Sequence, residues 1–482
     1  MIHLNTEVHD STTLEFKISY ETHERLPKAD FDLSLWLFIP EYLESNEHSF
    51  SRESFYENIK SRMRLISPRY KLDALTSSEA LPYERLRKKI KQYAQVENRR
   101  TLRELKHDVC MVCNIARSGM RGAMTEAKEN TDEQKCVTQT QALVQNCKSI
   151  LSNYRSCRTA FPEGDNSGVA LFKLGDEYIC GLFLGNFYRL FLFFQEQKWQ
   201  CPPELTQGVL ELQEDMGKRG YPLPRQDDDV LNSKYLQRLS LLKKFAESGL
   251  YLATRVSKGG YLLEQLMFMF TAGLAMAFAL MVNFSTRNFS DKYSLPLVLL
   301  MIISYMFKDR IKDWMRFWFH NKAGKAFFDR RAHLEMGDVS IGVSSQGVEY
   351  KLSTEIPDCI RQLRRDTNAD KVNDFLKEDI LVYRHGLRLN YKRISRLSHH
   401  PLLGVAEILR VNLSPLMRWM DNPTINVHST DADGRIRQFP AQRTYCLDIV
   451  AQSSFLKQEE YTLYRVELNK TSILDVHEVR LK

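Results

Sequence analysis

The chain has 482 residues, of which 43% are hydrophobic, 11% aromatic and 27% charged, a balance that excludes intrinsic disorder, collagen-like repeats and coiled coil alone. At roughly 150 residues per domain it holds about three domains with sizeable cores. A net charge of +8 over that length is mild beside the concentrated basic charge of a nucleic-acid-binding domain, so nucleic acid is not an expected partner.

Nine cysteines, an odd number scattered from Cys110 to Cys446, do not make a disulfide framework and point to reduced thiols facing a cytosol. The opening MIHLNTEVHDSTTLEFKISYE has no basic stretch leading into an apolar run, so no cleavable secretion signal is expected.

Residues 1–75 mix β-favouring runs, LEFKISYE and FDLSLWLFIP, with polar turns. From Pro82 the pattern turns helical: Leu86, Ile90 and Tyr93, then Leu102, Leu105, Val109, Val112 and Ala116, recur at helix spacing. A second helix is expected from Gln134 to Tyr154, and FPEGDNSG reads as an exposed loop. Tyr178 to Phe194 is apolar apart from Asn186 and Arg189. An arginine at its centre is costly in lipid, so this stretch predicts a buried or membrane-touching helix rather than a span. Pro202-Pro203 and RGYPLPRQDDD break the helices, and another runs from Val230 to Thr254. The expectation for 1–260 is a mostly helical cytosolic domain with short β elements at its start.

Between Glu264 and Arg287 lie 22 residues without a formal charge, QLMFMFTAGLAMAFALMVNFST. At about 1.5 Å rise each they reach across roughly 30 Å of hydrocarbon. After RNFSDK a second apolar run, Tyr293 to Phe307, is bounded by Lys292 and Lys308, whose amines can snorkel outward. The pair predicts a transmembrane helical hairpin over 261–307; two buried core helices are the plainer alternative. Arg255 and Lys258 before it, and Lys308, Arg310, Lys312, Arg316, Lys322 and Lys325 after it, outnumber Arg287 and Lys292 in the link. That bias places both large domains in the cytoplasm. Ile311, Trp314, Met315 and Trp318 fall on one helical stripe, so 308–334 is expected as a basic aromatic juxtamembrane helix, with Lys308, Lys312 and Arg316 toward anionic lipid headgroups.

Beyond Gly337 strand signals dominate. VSIGVSS, QG and VEYKLST read as a hairpin, a helix follows from Pro357 to about Tyr383, and LLGVAEILRV is a helix or strand. TINVHST, DADG and RIRQFP read as a hairpin, and RTYCLDIV, YTLYRVEL and ILDVHEVRL as alternating strands. Residues 335–482 thus predict an α+β cytosolic domain ending in an antiparallel β meander.

Residues of the kinds that carry chemistry have plainer readings. His107, Cys110 and Cys113 have half the spacing of a zinc site, but no second CxxC exists and the local pattern is helical, so core cysteines are expected. His399 and His400, with His385 and His428, match no ligand or general-base spacing and read as exposed loop histidines. His428 to Gly434 places Asp431 and Asp433 as a calcium loop does, but Pro440 stands where its bidentate Glu belongs, so a hairpin turn is the better account. RLRKKIKQY, ENRRTLRELK and IRQLRR are solvated helix faces. No catalytic, cofactor-binding or metal-ligating residue is assigned.

The sequence therefore predicts an α+β integral membrane protein with both termini in the cytoplasm. It would be a non-enzymatic adaptor or signal-sensing protein, with a protein partner or a second copy of itself. The alternatives are a membrane-bound enzyme with a site assembled from dispersed residues, and a small oligomeric pore.

Overall fold

The computed structural model describes residues 2–21, 28–43, 50–129, 132–162, 164, 166–226, 228–258, 261–287, 299, 302–303, 305–314, 328–337, 339–367, 377–398, 400, 402, 404–430, 434–456 and 458–480. The chain divides into a β-rich unit, formed by 1–62, 253–393 and 407–482, and a helical unit, formed by 63–252 with 394–406. The first 62 residues thus belong with the C-terminal strands and not with the helices that follow them.

Period-two alternation shapes the β-rich unit. Strands β1 (Ile2–Val8) and β2 (Thr13–Glu21) form an antiparallel hairpin, and Leu14, Phe16, Ile18 and Tyr20 are buried at every second position of β2. Strand β3 (Ala29–Pro40) buries Phe31, Leu33, Leu35 and Leu37 on one face, with Trp36 and Phe38 on the other. It follows that β3 is covered on both sides. It lies fourth in an eight-stranded sheet in which every adjacent pair is antiparallel, ordered β14-β13-β12-β3-β8-β7-β6-β5. These strands are β5 (Ala253–Lys258), β6 (Arg330–Met336), β7 (Val339–Lys351), β8 (Glu378–Leu389), β12 (Tyr445–Phe455), β13 (Gln458–Leu468) and β14 (Ile473–Arg480). A smaller sheet runs β1-β2-β9-β4, with β4 at Ile59–Leu65, directly after the short helix α1 (Arg52–Asn58), and β9 at Gly404–Asn412.

Side chains of the two sheets meet. Phe16 and Tyr20 of β2 lie with their rings 5.9 and 5.3 Å from those of Tyr464 on β13 and Phe31 on β3. The other face of the large sheet is covered by α9 (Asp358–Thr367), whose Ile360 and Leu363 pack on Trp36, Phe38, Ile380, Val382, Val450 and Leu463. Arg364 of this helix reaches Glu378 at 2.7 Å and Asp448 at 3.3 Å, over the ring of Phe38. A third pair, β10 (Thr424–Thr430) and β11 (Ile436–Gln442), forms a separate hairpin with almost every residue exposed.

The helical unit contains α2 (Leu81–Gln95), α3 (Arg99–Glu129), α4 (Glu133–Ser156), α5 (Ser167–Gln197), α6 (Pro203–Lys218) and α7 (Asp229–Ser248). Helix α5 touches α3, α4, α6 and α7, which explains why Tyr178 to Phe194 is apolar on so many sides. Close approach is set by Gly175, where an added Cβ would lie 2.2 Å from the Tyr154 hydroxyl and 2.8 Å from Val109. The charges at its core are paired: Arg155 bridges Asp176 at 2.8 Å and Asp215 at 2.6 Å, and Arg238 meets Glu177 at 2.6 Å.

The membrane expectations are corrected. The first apolar run is helical, within α8 (Tyr261–Arg287), but among the described residues no helix is long and apolar enough to cross a membrane. The transmembrane hairpin and the integral-membrane location fall with that finding. The second run, Tyr293 to Phe307, lies largely outside the described residues. The flank count also had a different meaning. Arg255 and Lys258 are residues of β5, paired with β6, and Arg255 sits 3.1 Å from Glu335, so these charges serve a sheet edge. Lys322 and Lys325 lie outside the described residues.

Three local readings change as well. VSIGVSS to VEYK is one continuous strand, β7, rather than a hairpin. The helix expected from Pro357 to about Tyr383 is described over Asp358–Thr367, and Glu378 to Tyr383 belong to β8. The helix of Val230 stops at Ser248, before β5.

Candidate functional site

Where the two sheets meet, five polar side chains converge on one point. Ser344 is on β7, His385 on β8, Tyr20 on β2, Ser61 on β4 and Glu407 on β9. In the antiparallel register of β7 and β8, Ser344 pairs with Leu387 and Gln346 with His385, so Ser344 and His385 are diagonal neighbours on one face. The Ser344 hydroxyl lies 2.8 Å from His385 Nε2, and His385 Nδ1 lies 3.0 Å from the Tyr20 hydroxyl and 3.2 Å from Glu407 Oε2. Tyr20 donates to the same Oε2 at 3.0 Å, and Ser61 donates to Glu407 Oε1 at 2.5 Å.

The shared protons of the network follow from its charges. Burial, and next the charge of Glu407, hold the Tyr20 pKa far above its ordinary value, so the phenol keeps its proton and donates it to the carboxylate. His385 Nδ1–H then points to Glu407 and the Tyr20 oxygen, and Nε2 shares a hydrogen bond with the Ser344 hydroxyl.

Serine to imidazole to carboxylate is the order of a nucleophilic triad. Its surroundings are not those of a working one. Ser344, His385 and Glu407 are 1%, 2% and 1% exposed, and Ser344 sits within a central strand rather than at a sharp turn with backbone N–H groups beside it. The Tyr383 ring lies stacked over His385 with centroids 6.2 Å apart. A substrate carbonyl has no approach to the Ser344 oxygen in this state, and the arrangement acts as a polar bridge fixing the two sheets in register.

The residues singled out in the sequence are dispersed. His385 and His400 are buried, not in exposed loops: His385 on β8, and His400 with its Nδ1 3.2 Å from the Tyr70 hydroxyl. His428 is on the exposed β10, and His399, Asp431 and Asp433 lie outside the described residues. Cys110 and Cys113 are buried in α3, where burial raises the Cys110 thiol to about 11 and that of Cys113 well above the ordinary value. Among the described residues no group of three or more His, Cys, Asp or Glu could hold a metal ion. Lys308 lies over the Tyr305 ring at 3.9 Å, while Arg316 is outside the described residues. Tyr20, Ser61, Ser344 and Glu407 had no sequence signal, because Tyr20 and Glu407 are 387 positions apart.

One surface stands out. Helix α8 has two faces: Thr271 and Ala275 are buried, whereas Leu266, Met269, Phe270, Leu274, Met276, Leu280, Met281 and Phe284 are between 44% and 71% exposed. Down the middle of the open face run Leu266, Phe270, Gly273, Ala277, Leu280 and Phe284, spaced by three or four residues, with the small pair Gly273 and Ala277 at its centre. Comparison with protein families, with curated proteins and with solved structures finds no match to this chain.

Proposed function

We propose that this protein is a non-catalytic adaptor or signal-sensing protein that assembles with a second copy of itself through the open face of α8. The observation that carries the reading is that face: eight large apolar side chains, about half exposed, with no formal charge from Gln265 to Phe284. At roughly 150–250 Å² per large side chain, half exposure leaves on the order of 700 Å² of apolar surface, beyond the 300–600 Å² usual for the largest patch of a monomer. An identical face is a fitting cover. It is equally uncharged, and Gly273 and Ala277 let two helix backbones approach closely while the larger side chains on either side interdigitate. The sealed Ser344–His385–Glu407 bridge supports a non-catalytic role, since the best-aligned reactive groups are spent on holding the two sheets.

The test is the native mass of the full chain by light scattering on a size-exclusion column. A mass of at least twice 56.4 kDa, reverting to one chain in a Leu266→Ser, Phe270→Ser, Leu280→Ser variant, is the expected result. A Gly273→Cys variant should form a disulfide between copies on oxidation. A wild-type chain that runs as a monomer throughout overturns the reading.

A further inference from the structure

The eight-stranded sheet has one closed edge and one open edge. At the closed edge β1 lies against β14, and the Ile473 N–H donates to the Ser11 carbonyl at 2.7 Å. At the open edge stands β5. Its inner side pairs with β6 from Ala253 to Lys258, and among the described residues no further strand joins its outer side. Residues 253–257 are all exposed, Val256 at 66%. Thr254 and Val256 share a face with Leu334, which is wholly buried one strand further in, so the core-facing side of the sheet runs past its own cover at β5.

An open edge presents a row of unpaired N–H and C=O groups that another strand can complete, and natural edges are guarded against this by charge or proline. Strand β5 has no proline, and the charge of Arg255 is met by Glu335 of β6 at 3.1 Å. The strand also suits its own copy. Paired antiparallel about Val256, Thr254 stands opposite Lys258 and Arg255 opposite Ser257, so no like charges face each other directly.

Position links this edge to α8. Lys258 ends β5, Tyr261 begins α8, and only Gly259 and Gly260 separate them. Two copies that meet on the open face of α8 run either antiparallel or parallel. Antiparallel helices crossing near Gly273 and Ala277 hold their N-termini roughly 40 Å apart, with the β5 edges at opposite ends. Parallel helices hold their N-termini side by side, about 8–10 Å apart. The two-fold axis then runs along the helices and turns strands that cross it into an antiparallel pair. Helix dipoles favour the antiparallel arrangement only through the terminal turns, whereas a six-residue edge supplies several backbone hydrogen bonds.

We infer that two copies of this chain associate with their α8 helices parallel and their β5 edges paired antiparallel about Val256, joining the two eight-stranded sheets. The pairing rests on the α8 assembly proposed above, and adds a second contact surface and a direction to it.

Disulfide mapping on the full chain tests it, in a Cys359→Ser background that removes the exposed native thiol, with linked peptides identified by mass spectrometry. Gly273→Cys reports whether α8 meets its copy at all, because the centre of the face meets itself in either direction. Phe284, about 27 Å along α8 from Leu266, reports direction. Phe284→Cys should link to its own counterpart, as should Val256→Cys, and a mixture of Leu266→Cys and Phe284→Cys chains should give no mixed link. In the chain without substitutions the outward amides of β5 should exchange about tenfold or more slowly than in the Leu266→Ser, Phe270→Ser, Leu280→Ser variant, with β7 and β8 unchanged. A Gly273 link accompanied by mixed Leu266–Phe284 links, or by β5 amides that exchange at one rate in both chains, overturns this inference and leaves the α8 assembly standing. Absence of the Gly273 link removes both.

Discussion

Replacing Tyr20 by Phe removes one oxygen from the interface of the two sheets and nothing else. That oxygen donates to Glu407 at 3.0 Å and stands 3.0 Å from His385 Nδ1, and Tyr20 is wholly buried, so water cannot take its place without opening the core. A hydrogen bond to an ionised group contributes about 1.5–3 kcal/mol, and a buried partner left short of one carries a further desolvation penalty. Glu407 keeps Ser61 and His385, which limits the damage to about 2–3 kcal/mol. Because about 1.4 kcal/mol is a factor of ten, amide hydrogen exchange in β8 and β9 should speed up by about 30- to 140-fold, while exchange in α3 to α7 stays as it was. The local readout matters, since a two-unit chain does not unfold in one step. Glu407→Gln combined with Tyr20→Phe should cost less than the sum of the single changes, as expected for members of one network. If the Tyr20→Phe chain exchanges within threefold of the unaltered one, the phenol is not holding the bridge and the account of Ser344, His385 and Glu407 as a structural unit is wrong.

Other expectations concern the same features. A fluorophosphonate that labels reactive serines should leave Ser344 unmodified in the folded chain, because its hydroxyl is sealed; labelling at Ser344 would restore the triad as a catalytic site. Gly175→Ala should destabilise the helical unit by about 1–3 kcal/mol in thermal unfolding, since the new methyl collides with Tyr154 and Val109. A melting temperature equal to that of the parent would show that α5 can shift to make room. Glu247, Asp215 and Asp108 all have pKa values below their ordinary 4.5, 3.8 and 3.8: burial opposes the shift in each, and bonds from Arg117, Arg155 and His107 overcome it. Groups lowered in the folded state contribute stability that is complete above those ordinary values and is lost as pH falls through the folded ones. The helical unit should therefore weaken below about pH 4, and Glu247→Gln should flatten the acid limb of its stability profile. Finally, iodoacetamide at pH 8 should modify the exposed Cys359 first and leave Cys110, Cys113 and Cys147 untouched until denaturant is added, since burial raises all three thiols.

The sequence by itself determined what periodicity and local chemistry can carry. Alternation in LEFKISYE and FDLSLWLFIP marks β2 and β3, three-and-four spacing from Leu86 to Ala116 marks α2 and α3, and the same helical spacing places Cys110 and Cys113 on the buried side of α3. These are short-range properties, fixed by which side of a strand or helix each side chain occupies. Only the tertiary structure decided where the elements go. The first 62 residues enter a sheet with strands more than 300 positions later, because β3 finds its partners in β8 and β12; no local pattern encodes that pairing. Arg255 and Lys258 read as membrane flanks until β6 claims them, and an uncharged run such as α8 looks the same in sequence whether one side or all sides need cover. The bridge of Tyr20, Ser344, His385 and Glu407, like the Arg117–Glu247 pair, joins residues whose only relation is their distance in space. Periodicity records the face a residue occupies; what faces it is settled when the chain packs.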